Sequence, residues 1–313
     1  MGVLTRSNFP DVLDPAFRKI YTDAEKEIEY KYSSIFNIFN SSKDIEKDSS
    51  VSGLTKLTEV GEGEAVPSDT VYLGYDKTYT HKKFGKKTTI TEEMVEDDQF
   101  RAVAPRAKGL AISANRSIEL SGADVLNYGT TSGGGGMAAF TSGGDAKALF
   151  ANDHPRSDGG ATQDNENSMD LAEDAIETIT VTMAETLDDR GELIQITADT
   201  IIIPPALERE AKILLQSSGR VGTANNDINV YQGALNLVVW PFISAAAATG
   251  GSDTAYYVLD SKNNKLNWFW RRRQRLDNDV DFDTGNMEYK LTARWSCGFS
   301  DWRGIFGSSG DNA

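Results

Sequence analysis

The sequence has very few of the residues that build covalent or metal-bound scaffolds. Its 313 residues include one cysteine, Cys297, and two histidines. A single cysteine forms no internal disulfide, which excludes a disulfide-stapled secreted domain. Two histidines and one cysteine are also too few for a zinc site of the Cys/His type. In its strand-like run, Cys297 is expected to behave as a small core hydrophobe.

Long apolar runs and an excess of basic charge are also absent. The apolar stretches at 201–203 and 235–243 are short, whereas a membrane span needs roughly 20 such residues. The first residues carry no apolar segment typical of a signal peptide. We therefore expect a protein that stays in the cytoplasm where it is made and contacts no membrane. The formal net charge of −15 argues against a dedicated nucleic-acid binder.

The chain begins with an amphipathic helical pattern. Asp14 is placed to cap this helix and Pro15 fits its first turn. The apolar residues at helical spacing are Phe17, Ile20, Tyr21, Ala24, Ile28 and Ile35. A helix with one narrow apolar stripe must lie on another surface. That surface is either its own domain or a neighbouring subunit, and both remain open.

A polar, β-rich region follows. Residues 57–66 form one arm of a candidate hairpin, and residues 71–84 form its return. Few of these residues are large and apolar, so the hairpin cannot supply a core of its own. It is either a solvated excursion or an element that other chains cover.

The middle of the chain predicts two helices and a long loop. Thr91 should cap a helix that ends near Tyr128, with Pro105 kinking or splitting it. The small residues on the inner face of this helix predict that another element packs closely against it. Residues 130–167 are rich in Gly, Ser and Asn and predict a long loop, of a length that is usually either functional or disordered. The run Gly133–Gly136 within it is expected to be flexible. A second helix then follows, with its apolar face on Ala172, Ala175, Ile176, Ile179 and Met183.

The last third predicts a buried strand, a helix and a β-rich tail. Thr200–Ile203 reads as the strand and Pro205–Ser217 as the helix. The predicted tail strands are 235–239, 256–259, 266–270, 280–282 and 289–295.

No motif for catalysis, cofactor binding or metal binding is complete. The run Gly133–Gly136 lacks the Lys-Ser/Thr pair of a phosphate-binding loop. A calcium loop starting at Asp279 would need Gly and Glu where Thr284 and Lys290 stand. The sequence has no nucleophile motif with which His154 could act as a catalytic base. We therefore predict a protein that is not an enzyme and that binds neither a cofactor nor a metal.

Clusters of like charge are more informative. They are read either as solvated strand faces with weak internal pairs or as complementary patches that meet between chains. Alternation along a strand should send successive arginines to opposite faces, leaving no single basic surface for DNA. The candidate inter-subunit contacts are Glu59, Glu62, Glu64, Lys82, Lys83, Lys86, Lys87, Arg271, Arg272, Arg273, Arg275, Asp279 and Asp281.

Several local strings carry a family resemblance. They are Phe84–Asp98, Leu149–Pro155, Asp188–Gly191 and Asp199–Ala211. With the order of elements, they make the sequence similar to the major capsid proteins of tailed bacteriophages, and among these to the Mu-type major head subunit. The fold this implies is α+β, of the Hong Kong 97 type.

The resemblance implies a domain division. Residues 1–50 would be the N-terminal arm and 51–90 the extended loop. Residues 91–168 would form the peripheral domain with its spine helix, residues 169–250 the axial domain, and residues 251–313 a β-rich return to the peripheral domain. The pattern begins almost at Met1, so a scaffold is expected as a separate protein.

The implied function is that of a major head protein. Hexamers and pentamers of this subunit would form an icosahedral shell around double-stranded DNA in the virion, without sequence-specific DNA binding. A portal and a decoration protein are further expected partners. Two alternatives stay open: an encapsulin-like compartment shell, and a monomeric β-rich binding or adhesion module.

Overall fold

Two groups of strands, one after the first helix and one at the end of the chain, flank a central region in which helices and strands are mixed. The computed structural model of the protein describes residues 9–71, 73–91, 93–94, 100–131, 143–219, 228–247, 250–281 and 283–310. The helices are α1 (Phe9–Lys26), α2 (Phe100–Asn127), α3 (Glu173–Ala184) and α4 (Glu208–Gln216). The strands are β1 (Asn37–Asn40), β2 (Ile45–Val51), β3 (Leu73–Thr80), β4 (Lys82–Ile90), β5 (Glu166–Asn167), β6 (Thr200–Ile203), β7 (Asn236–Val239), β8 (Tyr256–Leu259), β9 (Leu266–Val280), β10 (Met287–Phe299) and β11 (Ile305–Ser308).

The first sheet has the strand order β1-β9-β10-β4 and is covered by α1 and α2. Its centre is the long antiparallel pair β9–β10, so residues 266–280 form one continuous strand where two short ones were predicted. β4 pairs with β10 and forms one edge of the sheet. Residues 82–90, expected within the extended loop, therefore belong to this sheet.

Helix α1 packs on its own chain. Phe17, Tyr21 and Ala24 are buried, and the Phe17 ring stacks on Tyr289 at a centroid distance of 3.7 Å. The surface-helix interpretation is therefore the one that applies to residues 9–26. The predicted cap is wrong, because the helix begins before Asp14, whose carboxylate instead accepts a hydrogen bond from Arg18 at 2.7 Å.

Helix α2 follows its predicted stripe. Val103, Ala107, Leu110, Ala111 and Ile118 are buried. Pro105 lies inside the helix without splitting it. Close packing is confirmed at Gly122, where a Cβ atom would come within 3.3 Å of both Trp240 and Phe36.

Glu119 on α2 is a buried carboxylate that sequence reasoning missed. It accepts hydrogen bonds from Trp240 Nε1 at 2.5 Å and from the Lys31 backbone N–H at 2.8 Å. Burial raises the pKa of this carboxyl, although the hydrogen bonds oppose the shift. Glu119 thus joins the segment after α1 to the core around Trp240.

The second sheet has the order β5-β11-β8-β6-β7. β6, Thr200–Ile203, is buried along its whole length, as its apolar sequence predicts, and pairs in parallel with β7. The apolar faces of α3 and α4 pack on this sheet through Ile176, Ile179, Ala211 and Leu215. Of the strands in the β-rich tail, β8 and β11 belong to this second sheet, whereas β9 and β10 belong to the first.

One core joins the two sheets. It includes Trp268 and Trp295 of the first sheet together with Ile202 and Leu259 of the second. No helix among the described residues is long and apolar enough to cross a membrane.

The Gly-rich loop is more ordered than its composition suggests. Of residues 130–167, those at 132–142, including Gly133–Gly136, lie outside the described part of the chain. In the remainder, Leu149, Phe150 and His154 are buried. The sequence leaves the order of this loop open, and apolar and hydrogen-bonded side chains anchor residues 143–167 to the core. The flexible run predicted at Gly133–Gly136 lies outside the described residues.

Candidate assembly surfaces

The most exposed part of the subunit is the segment between β2 and β3. β2 and β3 form a separate two-stranded ribbon, with Ile45 opposite Thr80 and Val51 opposite Leu73. Residues 53–71, which we call the excursion, are exposed at every described position. The first arm of the ribbon is thus β2, which precedes the predicted arm at residues 57–66.

An ion pair fixes the root of the excursion. Both carboxylate oxygens of Asp69 lie 2.7 Å from Arg190 Nη1, and Asp69 also accepts hydrogen bonds from the backbone and hydroxyl of Thr55. Arg190 donates a further hydrogen bond to the Thr70 carbonyl. The Arg190 contact, followed by those of Thr55, lowers the pKa of Asp69 far below its ordinary value. The excursion therefore leaves the body from a defined point.

The excursion and the ribbon carry many apolar side chains that are exposed to solvent. Leu57 is 99% exposed, and Val66 is 81% exposed. The other exposed apolar residues of the ribbon and excursion are Ile45, Val51, Leu54, Val60, Val71 and Leu73. Isolated apolar residues on a surface are ordinary, but a contiguous group marks an interaction surface. This concentration is the strongest sign of a partner on the molecule.

The acidic cluster lies at the far end of the excursion. A turn closes between Gly61 and Glu64, where the Glu64 N–H donates to the Gly61 carbonyl at 3.1 Å. Glu59, Glu62 and Glu64 are therefore grouped around this turn, which we call the acidic tip. The predicted hairpin of residues 57–66 with residues 71–84 would set these glutamates opposite Lys82 and Lys83. That pairing is wrong, because β3 pairs with β2 and β4 pairs with β10.

The lysine cluster lies on the edge strand β4. Lys82, Lys83, Lys86 and Lys87 are all exposed. Lys87 forms a salt bridge with Glu288 of β10 at 2.7 Å, and this contact raises its pKa. The cluster is therefore an edge of the first sheet and not part of the excursion.

The arginine block lies on β9, where it contributes to a basic face. Arg275 is opposite Thr292, and Arg272 is opposite Arg294. Thr292 and Arg294 are two residues apart and so leave the same face of β10. Register shifts beside Arg294 bring both arginines of β9 to that face, where Lys83 flanks Arg294 from β4. The prediction that alternation leaves no single basic surface is therefore wrong.

Internal partners offset part of this basic face. Arg275 forms a salt bridge with Asp277 at 2.7 Å. The Arg273 guanidinium lies 5.6 Å from the centre of the Trp270 ring. Such exposed pairs contribute little to stability. Arg271, the remaining member of the block, is half-buried.

The acidic series after the arginines divides between a strand and a turn. Asp279 lies on β9 opposite Glu288. Asp281 follows the strand, and its carboxylate accepts a hydrogen bond from Thr284 Oγ1 at 2.8 Å. Asp279 and Asp281 therefore lie in different elements, because the strand ends at Val280 and the chain turns at Asp281.

An open cleft lies between α2 and the first sheet. Its volume is about 340 Å³. One wall is formed by Leu110, Ser113 and Ala114 of α2, and the opposite wall includes Phe84 and Trp295, whose rings stack at 4.0 Å. The cleft runs beside β4, since Gly85 and Lys86 also line it. It is a mostly apolar recess next to the lysine edge.

His154 has a structural environment. Its Nδ1 lies 2.8 Å from Asp145 Oδ2, and its ring stacks on Trp302 at 4.4 Å. Burial acts to raise the pKa of Asp145, but hydrogen bonds from His154 and the Lys147 backbone leave it lowered. Gly144 packs against β3, so this pair anchors the loop beneath the root of the ribbon.

The remaining chemical candidates give no reactive centre. Cys297 is buried and its Sγ lies 3.2 Å from the Ser121 carbonyl, and burial raises its pKa. Thiolates, not thiols, are the reactive form. Across the described ranges, no group of three His, Cys, Asp or Glu side chains is arranged to hold a metal ion.

A model of the phage capsid protein family matches residues 74–307. The chain belongs to the phage capsid protein family. The match begins within β3 and ends within β11, so it spans both sheets of this capsid subunit. No curated protein sequence matches the chain.

Solved structures share the fold at low sequence identity. A structure from Mycobacterium phage Adephagia matches with a TM-score of 0.56 at 13% identity, covering 91% of each chain. The procapsid of bacteriophage JBD30 matches with a TM-score of 0.52 at 16% identity, covering 98% of this chain and 76% of that one. A virus-like particle from Pyrococcus furiosus matches with a TM-score of 0.50 at 11% identity, covering 93% and 97%.

The capsid subunit therefore has the α+β, Hong Kong 97 type fold expected of tailed-phage head proteins. It is a structural component of the virion. Family membership removes the monomeric binding module as an alternative.

Proposed function

We propose that this subunit assembles as hexamers and pentamers into a closed icosahedral shell around double-stranded DNA. The observation that carries the proposal is the excursion, which exposes Leu57 and Val66 to solvent and has no core of its own. A neighbouring subunit that covers these side chains removes their apolar surface from water, at about 25 cal/mol per Å². Each subunit repeats the contact with several neighbours, which makes the shell durable.

The test is the state of the purified protein. We expect rings of five and six subunits, or closed shells, by negative-stain microscopy and analytical ultracentrifugation. Persistent monomer at high concentration, both alone and with a co-expressed scaffold, would contradict the proposal.

We propose the same division into N-terminal arm, extended loop, peripheral domain and axial domain, with new bounds for the extended loop. The extended loop corresponds best to residues 45–80, since β4 belongs to the first sheet. We assign the N-terminal arm, the peripheral domain with α2 as its spine helix and the axial domain around the second sheet by analogy with the family.

The charged clusters are proposed as inter-subunit contacts and not as a DNA site. The basic face of β9 is flanked by Asp277 and Asp279, which a DNA backbone would meet beside the arginines. Changing Arg272 and Arg273 to Glu should lower particle yield and make it sensitive to salt. DNA affinity of the unassembled subunit should be weak before and after the change. Tight wild-type binding that the variant loses while still assembling would favour DNA contact instead.

Further partners follow from the head-protein role. A separate scaffold, a portal and a decoration protein would join the shell, which would be assembled in the host cytoplasm. We expect co-expression with a scaffold to raise the yield of closed, uniform particles. Uniform shells of the subunit alone would make the scaffold unnecessary.

An encapsulin-like compartment is the second candidate. The similarity to the virus-like particle from Pyrococcus furiosus favours it, because that particle has the same fold. The contents of native particles separate the two functions. Double-stranded DNA inside supports the head protein, and a protein cargo supports the compartment.

A further inference from the structure

The two histidines of the chain are both buried, but their surroundings differ. His154 is completely buried in the loop of residues 143–165, and His81 lies between β3 and β4. Histidine is the side chain whose charge changes near neutral pH. The number of protons that each ring carries therefore depends on the groups that face its two nitrogens.

Both ring nitrogens of His154 face oxygen atoms. Nδ1 lies 2.8 Å from Asp145 Oδ2, and Nε2 lies 3.2 Å from Asn165 Oδ1. Asp145 and Asn165 stand at opposite ends of the loop, so the ring ties the two ends together. Whether the ring donates to both depends on the state of these two partners.

The orientation of the Asn165 amide is fixed by its other hydrogen bonds. Its Nδ2 donates to the carbonyls of Leu149 at 2.8 Å and Ile305 at 3.2 Å, and its Oδ1 accepts from the Ala151 N–H at 3.0 Å. A flipped amide would place its oxygen against two carbonyl oxygens. Asn165 therefore presents an oxygen to the ring, and His154 Nε2 must carry a proton to donate to it.

Asp145 presents a second acceptor. Burial acts to raise the pKa of this carboxyl, but hydrogen bonds from His154 and from the Lys147 N–H leave the pKa lowered. An ionised carboxylate only accepts hydrogen bonds. His154 Nδ1 must therefore carry a proton as well.

A neutral ring does not fit this site. It has one proton for two acceptors, so one nitrogen would direct a lone pair at a nearby oxygen. The ring also stacks on Trp302 at a centroid distance of 4.4 Å and an angle of 10°. A cation is attracted to the face of an indole ring. All three neighbours thus favour the doubly protonated form of His154.

His81 shows the opposite arrangement. Its Nε2 lies 3.1 Å from Ser41 Oγ, and its Nδ1 lies 3.0 Å from Ser296 Oγ. A hydroxyl either donates or accepts, so these two serines satisfy a neutral ring. Burial lowers the pKa of His81. The second histidine is therefore an internal control for the first.

We propose that His154 is held as an imidazolium ion, that its pair with Asp145 locks the loop of residues 143–165 beneath β3, and that the lock opens when the ring loses its proton. The inference goes beyond the shell function and does not depend on it.

The backbone beside Asp145 explains what the lock holds. Ala146 has a φ of 62°, a left-handed conformation that is uncommon for a residue other than glycine. On the other side, Gly144 packs against Tyr75 and the Asp76 carbonyl of β3. The ion pair therefore fixes a turn that costs energy to form and that supports the ribbon.

Other charged and titratable groups surround the pair, and they come from β3, from β5, from the loop itself and from the segments beside Trp302. They are Lys77, Tyr75, Glu166, Asp153 with Lys147, and Arg303 with Asp189 and Asp301. Among the described residues, Asp145 alone forms a salt bridge with the ring of His154.

The direction of the pH dependence follows from the proton that the folded site holds. The contact stabilises the subunit while the ring is charged, so stability is lost as pH rises through the value at which the folded ring deprotonates. The contribution of Asp145 is lost only in acid, because its folded pKa is lowered. The two titrations therefore act in separate pH ranges.

Nitrogen-15 spectra of the labelled histidines test the proposal directly, in solution for the subunit or by solid-state methods for particles. At about pH 7, the His154 ring should show two protonated nitrogens, whereas the His81 ring should show one protonated and one bare nitrogen. A His81→Gln variant assigns the two sets of signals. A bare nitrogen on His154 in the wild type at this pH would overturn the proposal.

Asp145→Asn tests the role of the carboxylate. Its amide can donate to Nδ1, so His154 should become neutral at about pH 7 and show one bare nitrogen. Between about pH 6 and 9, the wild type should lose about 2–4 °C more in melting temperature than this variant does. The matched control Asp153→Asn removes a neighbouring charge that pairs with Lys147 and should behave as the wild type.

Two results from these variants would also contradict the lock. One is a ring that keeps both protons in Asp145→Asn, and the other is a melting temperature whose pH dependence is the same in the wild type and in Asp145→Asn. If Asp145→Asn does not fold, the spectra of the wild type still decide whether His154 is charged.

Discussion

The excursion and the body of the subunit differ in what holds them. In the body, aromatic residues such as Trp268 and Trp240 are fully buried, and one core joins both sheets. In the excursion, Leu57 and Val66 face solvent, and Arg190 holds the root through its ion pair with Asp69 and its hydrogen bond to the Thr70 carbonyl. The difference teaches that this chain divides its apolar residues between folding and assembly. Each of the following predictions tests that division, in order of the expected effect on subunit stability.

The largest effect is expected in the joined core. Trp268 is fully buried between the sheets and α2, so Trp268→Ala should destabilise the subunit by about 3–5 kcal/mol. Denaturant unfolding of the unassembled subunit measures the change. A loss below about 1 kcal/mol would show that the two sheets do not depend on this shared core.

A smaller effect is expected where the loop meets the ribbon. A Cβ atom on Gly144 would come within 2.8 Å of Tyr75 Cβ. Gly144→Ala should therefore cost about 1–3 kcal/mol by overpacking. Thermal unfolding checks the loss, with Gly159→Ala as a loop control that meets no neighbour but has a positive φ of 76°. Because Gly144 itself has no positive φ, a loss at Gly144 below about 0.5 kcal/mol would contradict the close packing against Tyr75.

The root of the excursion should respond locally. Asp69→Asn removes the charge that pairs with Arg190, so the backbone amides of Thr55 and Thr70 should exchange faster with solvent while global unfolding changes little. Hydrogen exchange read by mass spectrometry measures this. The folded pKa of Asp69 lies below its ordinary 3.8, so its contribution is present above that pH and is lost as pH falls through the folded value. Wild type should therefore show no loosening between about pH 5 and 8. Unchanged exchange in the variant would mean that other contacts fix the root.

The smallest effect on stability belongs to the tip itself. Leu57→Asp should leave unfolding within about 0.5 kcal/mol of wild type, because the side chain is exposed in the subunit. Assembly should nevertheless be lost, which sedimentation detects. The same separation is expected when residues 54–68 are replaced by a short flexible linker. A deletion that extended to Lys87 would remove β4 and would be expected to unfold the first sheet.

Hydrophobic periodicity correctly predicted the helices and strands that carry a strong apolar pattern of their own. The stripe from Val103 to Ile118, the face of α3 and the buried strand Thr200–Ile203 all lie where the pattern placed them. Elements without strong periodicity were missed or misplaced. β2 was missed because its side chains alternate only between exposed and half-buried, and β1 because it is short and pairs with β9 far along the chain.

The sequence predicted which charged residues are candidates for contact, but it did not predict how they group on the surface. Their residues are visible in the sequence, but their grouping is not. The register shifts beside Arg294 set Arg272, Arg275 and Lys83 on one face, and no rule of alternation predicts such shifts. Likewise, the lysines of β4 look like part of a hairpin until β10 is seen beside them.

The sequence by itself determined the class of the molecule: few cysteines and histidines, an amphipathic helix, a long helix with small inward residues, and a polar segment with no core. These are properties of local composition and period, which a chain carries whatever its fold. Only the tertiary structure decided that α1 covers its own sheet, that one core joins both sheets and that the acidic tip and the lysine edge lie apart. Those outcomes depend on which distant strands pair, and pairing is set by the packing of the whole chain.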